Sequence, residues 1–238
     1  MNDNIAMGIM TSYKLRERFM ACKNTWTRDF DNVFFFGGDV YDENLIRLEG
    51  VGEDHSSSFF KQQYGLKYMF EKNNEFDWFS MNGCDHVIFK NRVMETLKNF
   101  DRNEDLLFSE VYRTMNIDGI ETTIFAGGAS FFMSNSLMKK VYQVIDEFNN
   151  HWISISQPVI PDSNVSIAWA DVSVAYIVKK YFNIDPTHMP GMFSQHPSHY
   201  QSQSNFNGVN SFENLKTPLS FHYIRPHEMQ KIYEEYVK

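Results

Sequence analysis

Only two cysteines, Cys22 and Cys84, occur in 238 residues, so no more than one disulfide can form. A small secreted scaffold held by several disulfides is thereby excluded. Positive charge is scarce too. Against 30 Asp and Glu there are 22 Lys and Arg, a net charge of −8, and no dense basic run. That argues against a nucleic-acid groove, which needs clustered cations, and offers anionic membrane no obvious attachment. The N-terminal Met1–Met10 lacks both a basic flank and a long apolar run. Neither a signal peptide nor a membrane anchor is expected, and a cytoplasmic location follows. Repeats, heptads and low-complexity tracts are missing, as are a Gly-x-x-x-x-Gly-Lys phosphate loop, a dinucleotide fingerprint and a nucleophile elbow.

What the chain does have is aromatic bulk (22 Phe, 12 Tyr and 4 Trp) and enough length for one substantial core. Short apolar runs alternate with amphipathic helical spacings, the pattern of an α/β layered sheet. Strands are expected at residues 5–11, 33–36, 78–81, 106–109, 122–133 (broken at Gly127-Gly128) and 219–223. Helices are expected at 15–26, 57–71, 91–99, 137–148 and 171–181, with another after Pro226. Residues 154–164, with Pro158 and Pro161, read as a substrate loop. No domain boundary stands out, so residues 1–238 are read as a single domain.

Phe76 to Phe89, FDWFSMNGCDHVIF, is the most informative stretch. Asp85 follows an apolar strand directly, and the carboxyl edge of a central strand is where open α/β sheets bind ligands. A carboxylate there suits hard cations that bridge phosphates, although an isolated Asp more often simply begins a turn. Three other features bear on it. Arg18 precedes Thr25-Trp26 by seven residues and could offer forked donors to a diphosphate, or simply sit on a solvated helix face. Gly127-Gly128-Ala129-Ser130 would let backbone approach a ligand, or mark only a turn. Asp171 opens a helix, where an N-cap is the commoner explanation.

Taken together, these segments resemble glycosyltransferase family 31, the Fringe-like β1,3-glycosyltransferases. They are Met10-Thr11-Ser12 with Arg18 and Thr25-Trp26, Phe34-Phe35-Phe36, Asp77-Trp78-Phe79 with Asp85, Phe125 to Ser134, Ala170-Asp171-Val172 and Leu219-Ser220-Phe221-His222-Tyr223. The resemblance runs from Ile5 to about Met229. It implies an α/β GT-A (Rossmann-like) nucleotide-sugar transferase domain with a mixed, mainly parallel central sheet. It further implies donor binding by Thr11, Ser12, Arg18, Gly127, Gly128 and Ala129, metal binding by Asp85 and His222, and Asp171 as catalytic base. Mn²⁺ is the implied cofactor, with Mg²⁺ the alternative cation, and the implied donor is a UDP-sugar. Transfer would go, with inversion, to a hydroxyl of a glycan, lipid-linked or protein acceptor, in a β1,3 linkage.

The chain departs from the family at four places. The run of three aspartates falls on Gly83-Cys84-Asp85, the acid before Asp171 is Ala170, and the fourth position of the Gly-Gly-Ala-Gly motif is Ser130. Loss of nearby negative charge should weaken the attraction for a divalent cation. A metal-independent transferase and an inactive nucleotide- or glycan-binding domain are therefore the alternatives. His86 and the remaining histidines fit no ligand spacing.

Overall fold

The computed structural model describes residues 4–127, 130–201 and 210–237. Strands β1 (Ile5–Met10), β2 (Val33–Gly37), β3 (Leu45–Arg47), β4 (Trp78–Gly83), β5 (Val87–Ile88) and β6 (Leu107–Ser109) come first in the chain. After them come β7 (Val111–Ile117), β8 (Ile120–Phe125), β9 (Phe131–Ser134), β10 (Thr187–His188) and β11 (Ser220–Phe221). The helices are α1 (Arg16–Asn24), α2 (Ser58–Lys72), α3 (Lys90–Leu97), α4 (Asn135–Ile155), α5 (Ala170–Phe182), α6 (Pro197–Gln201), α7 (Phe212–Lys216) and α8 (Pro226–Tyr236). Most lie where the periodicity places them. Helix α4 runs on to Ile155, into the expected substrate loop.

Seven strands form one sheet in the order β10-β6-β9-β4-β1-β2-β3. Pairs β1–β2, β1–β4, β2–β3 and β6–β10 are parallel, and β9 runs antiparallel between β4 and β6. The sheet is thus mixed and mainly parallel. Its first strand is central: the chain builds outward through β2 and β3, then returns to lay β4 on the other side of β1. This reversal is a topological switch point, and it opens a crevice at the carboxyl ends of β1 and β4.

Period-two alternation explains why both faces of the sheet are covered. Ile5, Met7 and Ile9 of β1 pack into one cluster with Phe19 and Cys22 of α1, Val93 of α3 and Met229 of α8. Ala6, between them, faces the opposite cluster with Leu66 and Met69 of α2 and Val141 of α4. At Gly8 a Cβ would lie 2.1 Å from Met81 Sδ, so only glycine lets β4 and α2 close over β1 there. Trp26 is fully buried.

Two small ladders add what the large sheet lacks. Antiparallel β5–β11 pairs Ser220 with Ile88 and Phe221 with Val87. Hairpin β7–β8 turns through Asp118 (φ 48°) and Gly119 (φ 80°), both left-handed as a two-residue hairpin turn demands. Among the described residues no helix is long and apolar enough to cross a membrane.

Candidate active site

The β4 end and the β5–β11 ladder together build the cleft. One residue beyond the pair Phe221–Val87, the register carries His222 toward His86, and the two rings stack with centroids 4.4 Å apart and planes 24° from parallel. The Asp85 carbonyl accepts the Ile224 N–H at 3.0 Å, which closes the loop over the strand end. His222 Nε2 lies 3.3 Å from Asp85 Oδ1, and His86 Nδ1 lies 3.7 Å from the same oxygen. Arg18, from the first turn of α1, donates to Asp85 Oδ2 at 3.0 Å. Burial opposes ionisation of Asp85, but the His222 hydrogen bond and the charges of His86, His222 and Arg18 outweigh it. They hold the carboxyl well below the usual carboxylate range.

Asp85, His86 and His222 each offer a ligand atom, and the three atoms lie within 4.8 Å of one another. His222 is oriented through its other nitrogen, whereas His86 meets a carbonyl with the same Nδ1 that lies nearest Asp85. Nδ1 of His86 lies 3.0 Å from the Gly83 carbonyl oxygen, and Nδ1 of His222 lies 3.3 Å from that of Ser194. Backbone carbonyls behind imidazoles are the usual supports of histidine metal ligands. With its Nδ1–H given to Ser194, a neutral His222 turns a lone pair toward the Asp85 carboxylate. Two facing acceptors need a cation between them or a second proton on the ring. The donor set, one carboxylate and two imidazoles, fits Mn²⁺ better than Mg²⁺, which prefers all-oxygen sites.

Departures at Gly83 and Cys84 acquire physical reasons here. A Cβ on Gly83 would lie 2.8 Å from Asp85 Oδ1, so a side chain at 83 would crowd the Asp85 carboxylate, with the His86 ring at ordinary contact distance, 3.4 Å. Cys84 is turned into the core and is 2 % exposed; burial pushes its thiol up to about 12. It takes no part in the ligand group, so its softness is irrelevant to the choice of cation.

The cleft has two adjoining parts that share Gln195 and Tyr223. One, of about 570 Å³, is bordered by Arg18 and Asp85; the other, of about 330 Å³, holds Asp171, Gly127 and His222. Asp171 lies in the first turn of α5, two residues past the N-cap Trp169, so capping is not its role. Its Oδ2 accepts the Gly127 N–H at 2.8 Å and its Oδ1 the Val172 N–H at 2.9 Å. Burial pushes the Asp171 carboxyl up, with those two N–H groups opposing, and the net shift is upward. At Gly127 a Cβ would stand 2.3 Å from the Asp171 Cβ, so glycine is required for the carboxylate to pack there. The start of α5 is fixed from below by α2: Ser58 Oγ donates to Ala168 O, Gln62 Nε2 to Ala170 O and Gln63 Nε2 to the Ser173 hydroxyl.

Asp85, His222, Arg18, Asp171 and Gly127 therefore meet around one cleft, although 137 positions separate Asp85 from His222 in sequence. Thr11 and Ser12 lie beneath it, 2 % and 5 % exposed; the Thr11 hydroxyl pairs with Tyr41 OH at 2.9 Å. Gly128 and Ala129 fall outside the described residues. No residue of 154–164 lines either part of the cleft. A separate groove of about 630 Å³ near Asn4, Asp77 and Trp78 lies at the amino ends of β1 and β4, the wrong edge for ligand binding in such a sheet.

Sequence reasoning missed four contributors. His86 is one, and its only signal is adjacency to Asp85. Lys61, 4 % exposed, donates to Thr11 O at 2.8 Å and pairs with Glu53 at 3.2 Å. Glu53 in turn accepts the N–H groups of Tyr13 and Gly38, so this pair braces the ends of β1 and β2. Tyr223 holds a left-handed backbone (φ 58°), and Trp169 lies exposed beside Asp171.

A mainly parallel sheet with its cleft at the first switch point defines a GT-A glycosyltransferase fold. LgtC, a galactosyltransferase solved in complex with donor and acceptor sugar analogues, superposes with a TM-score of 0.53 at 9 % identity, covering 98 % of this chain and 96 % of LgtC. An active-site mutant of LgtC gives 0.55 at 10 % identity, with the same coverage. The glycosyltransferase GlyE of Streptococcus pneumoniae TIGR4 gives 0.52 at 12 % identity, over 98 % of this chain and 60 % of GlyE. Such identities establish the fold alone. No curated protein matches the sequence. The chain belongs to the Fringe-like family, which it matches over residues 1–236, and by family and fold it is a glycosyltransferase.

Proposed function

We propose that the protein transfers a hexose or N-acetylhexosamine from a UDP-sugar to an acceptor hydroxyl, with inversion and in a β1,3 linkage. The observation that carries this reading is the grouping of Asp85, His86 and His222 in a cleft where His222 and Asp171 line the same part. LgtC, with the same fold, holds donor and acceptor sugar analogues, which supports a two-substrate cleft here.

In this reading Asp85, His86 and His222 hold Mn²⁺, with Arg18 beside them. When bound, the cation supplies positive charge against the diphosphate oxygens. Arg18 adds forked donors on the same side. Asp171 accepts the proton of the acceptor hydroxyl as that oxygen bonds to the anomeric carbon. The bond from that carbon to the diphosphate oxygen breaks, and its electron pair leaves with UDP. A raised carboxyl pKa makes Asp171 a better base than an ordinary aspartate. Gly127 fixes the carboxylate through its N–H.

One observation favours a second reading, a transferase independent of metal. Arg18 already offsets the Asp85 charge at 3.0 Å. The test is a UDP-sugar panel, read as UDP release and as thermal shift, in Mn²⁺, Mg²⁺ or excess EDTA. A true donor at a hundred times its Kd stabilises the fold by about 2.7 kcal/mol. Stabilisation only with Mn²⁺ supports the first reading, and equal turnover in EDTA supports the second. Failure of every nucleotide sugar to bind or turn over would leave the inactive binding domain.

A further inference from the structure

Glu110 touches both halves of the site without lining the cleft. It stands between β6 and β7, at the root of the hairpin. Its backbone carbonyl accepts the Ala126 N–H at 3.0 Å, next to the Gly127 that holds Asp171. Its side chain serves the other half. Oε2 accepts the Ser194 N–H at 2.8 Å, and the carbonyl oxygen of that same Ser194 lies 3.3 Å from His222 Nδ1. A carboxylate, one backbone residue and an imidazole thus form a chain, and His222 Nε2 ends it 3.3 Å from Asp85 Oδ1.

Ser194 needs such a hold. Residues 192–195 run beside β11 without forming a regular strand. Met192 pairs with Ser220, Phe193 donates its N–H to the Ser220 carbonyl at 3.1 Å, and His222 donates its N–H to the Gln195 carbonyl at a long 3.4 Å. None of these contacts fixes Ser194 itself. Asn210, 7 % exposed, clamps only the start of the segment: its Oδ1 accepts the Gly191 N–H at 2.8 Å and its Nδ2 donates to Met192 O at 2.7 Å. Glu110 Oε1 accepts from that same Nδ2 at 3.2 Å, while Oε2 reaches past the clamp to Ser194. Both oxygens of this half-buried carboxylate therefore accept from neutral amides, and their places set where the Ser194 carbonyl points.

Resting on the transferase reading above, we propose that Glu110 is a positioning residue: it pins Ser194 so that its carbonyl holds the His222 ring with Nε2 toward Asp85. Groups behind a ligand imidazole set its orientation, and their loss costs metal affinity. Here the support has two tiers, the Ser194 carbonyl and the carboxylate that fixes it.

Two substitutions separate reach from charge. Glu110→Gln keeps the length of the side chain and an oxygen for Ser194. Glu110→Asp keeps the charge and is one methylene short. Mn²⁺ alone is titrated into each protein by calorimetry. Glu110→Asp is expected to lose roughly tenfold in affinity, and Glu110→Gln to stay near the unmodified protein. A second readout needs neither metal nor turnover: the downfield Nδ1–H proton resonance of His222, assigned by its loss in His222→Gln. It is expected in the unmodified protein and in Glu110→Gln, and broadened by solvent exchange in Glu110→Asp. The acid limb of kcat/KM that Asp171 sets stays in place in both variants. Unchanged affinity and resonance in Glu110→Asp overturn the proposal, and so does a loss in Glu110→Gln as large as in Glu110→Asp. A shift of the Asp171 limb, or a fall in Tm without either change, marks a general brace and overturns it as well. If the unmodified protein binds no Mn²⁺, the metal reading is removed, and the resonance alone decides whether Glu110 positions His222.

Discussion

Asp85 and Asp171 line adjoining parts of one cleft, and their surroundings push them in opposite directions. At Asp85 a guanidinium and two imidazoles outweigh burial, and the carboxyl is held ionised. At Asp171 burial outweighs two backbone N–H groups, and the carboxyl binds its proton more tightly than usual. Pairs of acids driven apart by their environments divide chemical labour. The permanently charged one suits a cation, and the one with the raised pKa suits a proton. The two sides have also diverged differently from the family pattern. On the Asp85 side glycine and cysteine stand where the family carries two aspartates, whereas the Asp171 side keeps Gly127 and its acid.

If that division holds, Asp171→Asn gives the largest effect: transfer falls roughly 10²–10⁴-fold while UDP affinity stays near wild type. Steady-state turnover beside calorimetry with UDP checks this, and undiminished turnover would remove Asp171 as base. The same raised pKa sets the direction of the pH profile. In kcat/KM the acid limb should have its midpoint above the ordinary aspartate value of about 4, activity being lost as pH falls through it. His86→Ala comes next, with Mn²⁺ affinity lowered roughly 10–100-fold and the Asp171 limb unmoved. Gly83→Asp, which restores a family acid, should lower Mn²⁺ affinity rather than raise it, by roughly tenfold. Its Cβ would displace Asp85 Oδ1. A gain in affinity would show that the site still has room for the old carboxylates.

The contrast also explains what could be read from sequence. Strands β1, β2 and β4 are buried on both faces and appear as continuous apolar runs, so they and the switch-point site were legible. Asp85, Asp171 and His222 were legible because family motifs carry them. His86 was not, since its place depends on the two-residue β5–β11 ladder, whose register joins segments about 130 residues apart and leaves no local pattern. Hairpin strand β7, Val111–Ile117, is mostly solvated and shows no apolar run, so only its Asp118-Gly119 turn marks it in the sequence. Lys61 reads in sequence as an ordinary polar helix position, and only packing reveals its burial.

Ser130 offers the smallest test, on the side of the cleft that keeps Gly127 and Asp171. The family places glycine there, and the backbone gives the reason: Ser130 has φ 73° and is fully buried. A left-handed conformation costs an L-residue about 1–2 kcal/mol, which glycine escapes. Among the described residues the Ser130 hydroxyl also has no hydrogen-bond partner, a further cost in a buried site. Against this, glycine frees the unfolded chain and weakens the native state by about 0.5–1 kcal/mol. The balance favours Ser130→Gly by about 0.5–1 kcal/mol, a Tm rise of roughly 1–4 °C for a chain of this size. Its departure would then be one of strain alone, unlike Gly83, where a side chain would crowd the Asp85 carboxylate. A fall in Tm would mean that the serine contributes something at this turn that outweighs its strained backbone, and the two sides of the cleft would have been rebuilt alike.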